Sequence, residues 1–139
     1  MPQSVQCNGN ILPNTWVKFD SSTPSPFAVI QSTTLSGEIY AISQDGSFYP
    51  PGLLNNPATL YAGIAGYPIQ IYVANDICLL VTGSAGWSEG DLIQSDATGA
   101  GITFTPGSTA GWYGAIGMTV QASGDLGRVR VIGPTYAPA

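Results

Sequence analysis

The chain contains no histidine. That removes the commonest general base and the commonest transition-metal ligand together. Charge is nearly as scarce: 8% of residues are charged, where an ordinary soluble domain carries roughly 25%. The cations are Lys18, Arg128 and Arg130, and the formal net charge is −5. Phosphate binding needs clustered Lys and Arg, so nucleic acid is excluded as a partner. Cysteine is limited to Cys7 and Cys78, whose spacing fits no metal or redox motif. A chain made in a reducing cytosol is not expected to join them, and Cys78, inside Ile77-Cys78-Leu79-Leu80-Val81, reads as a small buried hydrophobe. Long apolar runs are missing too. The longest, Ile69 to Val81, is broken by Asn75 and Asp76 and cannot cross a bilayer, so no membrane partner is expected. The first residues carry neither a basic nor an apolar segment, so no secretory signal is expected. No apolar stripe of helical spacing survives three turns without meeting a glycine or proline.

What is present is short and alternating. Gly (18) and Pro (11) punctuate the chain every few residues, and the runs between them alternate apolar and polar. The pattern predicts an all-β fold, a small β-barrel or β-sandwich, and 139 residues suffice for one domain with a real core. Strands are expected near 15–19, 28–31, 38–43, 69–73, 77–82, 91–95, 101–105, 115–121 and 127–132. Asp45-Gly46 is a hairpin signal, and Asn75-Asp76 is expected to close a tight hairpin between its flanking strands. Phe48 to Pro57 is the longest irregular connection. Residues 1–14, broken by Pro2, Gly9 and Pro13, read as an extended N-terminal arm with Ile11 and Leu12 to bury. Residues 15–133 form the single β domain, and 134–139 read as a loose C-terminal tail.

A repeat divides the domain. Gly37-Glu38-Ile39-Tyr40 runs to Gly46 as Gly90-Asp91-Leu92-Ile93 runs to Gly99. Tyr61-Ala62-Gly63-Ile64 then matches Tyr113-Gly114-Ala115-Ile116, and both copies close on an alternating strand, Ile69 to Val73 and Arg128 to Ile132. Two copies are too few for a solenoid, so halves of about 37–73 and 90–132 are expected to build one barrel or sandwich with an internal two-fold repeat.

The chemistry is mostly absence. No Gly-x-Ser-x-Gly elbow occurs, and no imidazole exists to activate a serine. The carboxylates are Asp20, Glu38, Asp45, Asp76, Glu89, Asp91, Asp96 and Asp125. Glu89 and Asp91 are the closest alternating pair, but Gly90-Asp91 reads as the start of a strand after a turn, as does Gly37-Glu38. Calcium-loop spacing is missing, and no glycine loop ends in Lys-Ser/Thr. Hence no catalytic residue, metal site, cofactor or small-molecule substrate is assigned, and the chain reads as a non-enzyme. Trp16, Trp87, Trp112 and Tyr113 are expected to be core or interface anchors rather than sugar platforms.

The run Val81-Thr82-Gly83-Ser84-Ala85-Gly86-Trp87-Ser88-Glu89-Gly90-Asp91-Leu92-Ile93, followed by Ser95-Asp96-Ala97-Thr98-Gly99, resembles the capsid-cement (head-decoration) proteins of tailed bacteriophages. Ala115-Ile116-Gly117-Met118 and the closing Gly127-Arg128-Val129-Arg130-Val131 continue that pattern, over about residues 77–133. The Phe48–Pro57 insertion and the Trp112-Tyr113 pair depart from it. The resemblance implies a small β-barrel or sandwich on the outer surface of a virion capsid, a homotrimer bound to the major capsid protein. Such a structural protein, synthesised in the host cytoplasm, stabilises the shell against internal DNA pressure. Candidate capsid or trimer contacts are then Ile11, Leu12, Trp16, Trp87, Trp112 and Tyr113. The alternative from another class is a carbohydrate-binding adhesin domain of a phage fibre or spike, which would need tryptophans exposed side by side.

Overall fold

The computed structural model describes residues 3–20, 28–45, 61–119 and 122–138. Within them the chain forms ten strands and no helix, as the breaker-rich, alternating sequence requires. Strands β1 (Gln3–Cys7), β2 (Trp16–Phe19), β3 (Ala28–Gln31), β4 (Ala41–Ser43) and β5 (Pro68–Tyr72) close into a barrel in the order β1-β3-β2-β4-β5. Strands β6 (Ile77–Val81), β7 (Leu92–Ser95), β8 (Gly101–Phe104), β9 (Gly111–Gly117) and β10 (Leu126–Ala137) form a second five-stranded sheet, ordered β6-β10-β9-β7-β8. The two edges of that sheet meet at a parallel bridge between Thr82 and Gly101.

Taken in chain order, the second sheet repeats the first strand for strand. Each ring has one parallel contact, β1 with β3 and the β6–β8 bridge, and four antiparallel ones. The registers agree as well. Trp16 lies opposite Ile42 as Leu92 lies opposite Ile116, and Val17 opposite Ala41 as Ile93 opposite Ala115. Ile42 faces Tyr72 as Ile116 faces Arg130, and Cys7 meets Val29 as Thr82 meets Gly101. Even single hydrogen bonds recur: Cys7 N–H donates to Tyr67 O at 2.9 Å, and Thr82 N–H to Asp125 O at 2.9 Å. The left-handed turn residues match in place, Gly66 (φ 88°) with Gly124 (87°), and Asn14 (54°) with Gly90 (87°). The molecule is therefore a closed barrel followed by a second, barrel-like sheet of the same strand order, joined edge to edge at the Thr82–Gly101 bridge and called the second barrel below.

This changes the reading of the repeat. The structure pairs Leu92 with Trp16, not with Ile39, and Gly37-Glu38 opens no strand, since β4 begins only at Ala41. Gly-Asp and Gly-Glu recur because turns recruit those residues, so they align by chemistry while the strands align elsewhere. Three further expectations are corrected. Residues 3–14 are no arm: β1 is a full barrel strand between β3 and β5, and Cys7 and Ile11 are completely buried. The stretch after Pro134 is no loose tail, because Thr135, Tyr136 and Ala137 pair with Tyr113, Trp112 and Gly111. Asn75-Asp76 closes no hairpin, for β5 and β6 belong to different sheets and the dipeptide links the two barrels. Gly46 of the expected Asp45-Gly46 hairpin and the Phe48–Pro57 connection lie outside the described residues.

Two cores follow. The first barrel is filled by Cys7, Ile11, Val17, Val29, Ala41, Ala62, Ile69 and Ile71. The second core joins that barrel's own residues, among them Leu80, Trp87, Ile93, Ala115 and Val129, to Trp16, Ile39 and Ile42 reaching across from the first. Trp16 is the joint. Its ring is fully buried, its Nε1 donates to Gln94 O at 3.1 Å, and its backbone N–H donates to Gly99 O at 2.8 Å. Gly114 makes room for it, since a Cβ there would lie 3.3 Å from the indole and 3.1 Å from Ile39. Beside it, Asn14 binds the free edge of β6: Val81 N–H donates to Asn14 O at 2.8 Å, and Asn14 Nδ2 donates to Leu79 O at 3.0 Å.

Candidate functional site

Half of the residues expected to meet a partner are inside. Ile11 and Trp16 are fully buried, and Trp87 is 4% exposed within the second barrel. None of these three can touch another molecule without unfolding, which corrects their assignment as contacts. The expectation failed because large apolar residues fill a core before they serve a surface. Leu12 is half-buried and lines a groove of about 380 Å³ between the barrels, with Pro13, Thr15, Val81, Ala100 and Leu126. Trp112 and Tyr113 are also half-buried: Trp112 meets Tyr136 edge-on at 5.5 Å, and Tyr113 stacks on Phe104 at 5.2 Å.

Asp91 and Asp96 serve turns, and Asp45 ties distant segments together. Asp91 Oδ2 accepts from Ser88 N–H at 2.8 Å and from the Thr103 hydroxyl at 3.0 Å. Asp96 Oδ1 accepts from the Thr98 N–H and hydroxyl, both at 2.7 Å, and from Ala100 N–H at 3.0 Å. Asp45 accepts from Asn14 Nδ2 and, at 3.1 Å, from the Tyr72 hydroxyl. Burial and that carboxylate push the Tyr72 phenol up. Among the described residues, no three of Cys, Asp or Glu converge as a metal site would require. Cys7 and Cys78 are both free and buried, in separate cores. Burial pushes the Cys7 thiol up to about 11; burial, then the charges of Asp45 and Asp76, push Cys78 up to about 12.

The unusual surface is the outer face of the second barrel. On β6 and β10, Val81 lies beside Leu126, Leu79 beside Arg128 and Ile77 beside Arg130. Side chains of directly opposed residues share a face, and here that face is the outer one, because Cys78, Leu80, Val129 and Val131 between them are buried. The face continues across β9 and β7 through Ile116, opposite both Arg130 and Leu92, and through Met118. Ile77 is 53% exposed, Leu126 49% and Met118 38%. The first barrel supplies an internal comparison. Its positions equivalent to Leu79, Val81, Arg128 and Met118 are Ser4, Gln6, Gln70 and Gln44, all polar. The barrel fold therefore does not require aliphatic side chains there. The sequence held the signal: β6 is apolar at every position, Ile77-Cys78-Leu79-Leu80-Val81, which marks a strand covered on both faces.

No family model matches this chain, and no curated protein does either.

Proposed function

We propose that this chain is a non-enzymatic capsid-cement protein, which binds the outer surface of a phage shell as a homotrimer and stabilises it against internal DNA pressure. The observation that carries the reading is where the resembling motifs fall. Gly90-Asp91-Leu92-Ile93, Asp96-Ala97-Thr98-Gly99, Ala115-Ile116-Gly117-Met118 and Arg128-Val129-Arg130-Val131 all belong to the second barrel, on β7, its following turn, β9 and β10. That barrel also carries the aliphatic outer face. A cement works by burying such surface across several neighbours, where modest contacts multiply through avidity. Sparse charge suits this role, because interface cores are depleted of charged residues.

The adhesin alternative is not favoured, since two of its three tryptophans, Trp16 and Trp87, are buried. The test is addition of the purified chain to particles that lack it. The proposal expects bound protein at a fixed ratio to shell subunits and genome release at a higher temperature. Particles that neither bind the chain nor change their release temperature would contradict it.

A further inference from the structure

Most described glycines are where the fold needs them. Either φ is positive, as at Gly66 and Gly124, or an added Cβ would strike a neighbour, as at Gly63 and Gly101. Gly9 fits neither case. Its φ is not positive, and among the described residues a Cβ there would meet nothing nearer than Ile30 Cγ2 at 3.7 Å, an ordinary contact. It follows Asn8, and Asn8-Gly9 is the one Asn-Gly step of the chain. We propose that Asn8 is a site of spontaneous covalent modification, its amide converted to a carboxylate through attack by the Gly9 nitrogen. This stands independently of the capsid reading.

The chemistry needs only water. The Gly9 nitrogen bonds to Asn8 Cγ, the Cγ–Nδ2 bond breaks, and the Gly9 proton leaves with Nδ2 as ammonia. Water then opens the five-membered imide at the side-chain carbonyl, giving aspartate, or at the main-chain carbonyl, giving isoaspartate. Glycine lets the reaction run, because without a Cβ the backbone can approach closely. The nucleophile is available here. Asn8 and Gly9 form a bend after β1, both are half-buried, and the Gly9 N–H donates to no acceptor among the described residues. Asn8 Nδ2 donates to Asp20 Oδ2 at 2.6 Å. Conversion removes that donor and sets a second carboxylate against Asp20, so like charges meet where a hydrogen bond was.

The second barrel shows that the turn does not require this pair. Gly83-Ser84 stands at the place of Asn8-Gly9: Asn8 N–H donates to Val29 O at 2.9 Å as Gly83 N–H donates to Gly101 O at 2.8 Å. Asp96 stands at the place of Asp20, its N–H donating to Ala100 O at 2.9 Å as that of Asp20 donates to Ala28 O at 3.0 Å. Asp96 has no such amide to hold, since a Cβ on Gly83 would already lie 2.5 Å from its Oδ2. One turn is thus built twice, and only the first copy carries the reactive step.

Incubation of the purified full chain at mildly alkaline pH and physiological temperature, folded and in parallel in urea, tests this. Peptides are then read by mass spectrometry for the amide-to-acid increase, with isoaspartate separated from aspartate by chromatography. The folded wild type is expected to gain acid at Asn8, isoaspartate in excess. Asn10, Asn14 and Asn75, followed by Ile11, Thr15 and Asp76, should stay amides. Gly9→Ala, which backbone and space allow, should slow the conversion by at least about tenfold. Conversion in urea but not in the folded chain would overturn the inference, because the bond to Asp20 would then lock the amide. Equal rates in the wild type and Gly9→Ala would overturn it too. The consequence is read by urea unfolding: Asn8→Asp should unfold at a lower urea concentration than Asn8→Ala, since only the former sets a charge against Asp20. The reverse order would overturn that consequence.

Discussion

Two tryptophans in similar burial are expected to behave differently. Trp16 Nε1 has Gln94 O as acceptor, whereas Trp87 Nε1 is buried with no partner among the described residues. Replacing an unpaired donor by a hydrocarbon costs less than replacing a paired one, whose acceptor is then stranded. Trp16→Phe is therefore expected to lose about 1–3 kcal/mol in urea unfolding, and Trp87→Phe distinctly less. Equal losses would show that packing alone sets both. The thiols give a pH test. In the unfolded chain they ionise near 9.0, and in the folded one near 11 and 12. Their contribution to stability is thus complete below about pH 9 and is lost as pH rises through the folded values. At pH 8 a thiol reagent should label neither cysteine in the native protein and both in urea, read by absorbance. Rapid native labelling would contradict the burial.

Among the elements, the long last strand shows why sequence pattern placed β10 well but ended it early. Arg128-Val129-Arg130-Val131 alternates plainly, with the arginines out and the valines in. Past Ile132 the alternation stops at Gly133-Pro134, and a proline normally closes a strand. Here the register shifts between Val131 and Thr135, the chain absorbs Gly133 (φ 96°) and Pro134, and pairing with β9 resumes. Deleting residues 135–139 should uncover Trp112, shifting tryptophan emission to the red and lowering stability by about 1–3 kcal/mol. An unchanged spectrum would mean that this ribbon is not packed in solution. β1 was illegible for the opposite reason. Ser4 and Gln6 face outward and only Val5 and Cys7 mark the interior, too short an alternation to name a strand, so its two pairing partners identify it as one of the barrel. The aliphatic outer face was legible in principle, since Ile77 to Val81 is apolar on both sides, whereas Ile11, Trp16 and Trp87 are large apolar residues of the kind a core takes first.

At the scale of the whole molecule, duplication is the organising fact, and it is preserved in register rather than in residue type. Val17 and Ile93, Ala41 and Ala115, Ile71 and Val129 hold equivalent interior places. The outer faces have diverged: one carries Ser4, Gln6, Gln70 and Gln44, the other is aliphatic with two arginines. Such divergence leaves a small, charge-poor protein with one joint between its barrels and one aliphatic outer face. A cement would need both, a rigid body and a repeated contact. The most direct measurement is the number of copies of this chain per purified particle, by quantitative mass spectrometry against the major shell subunit. A ratio comparable to that subunit is the predicted result. A few copies per particle, or none, would contradict the capsid-cement reading.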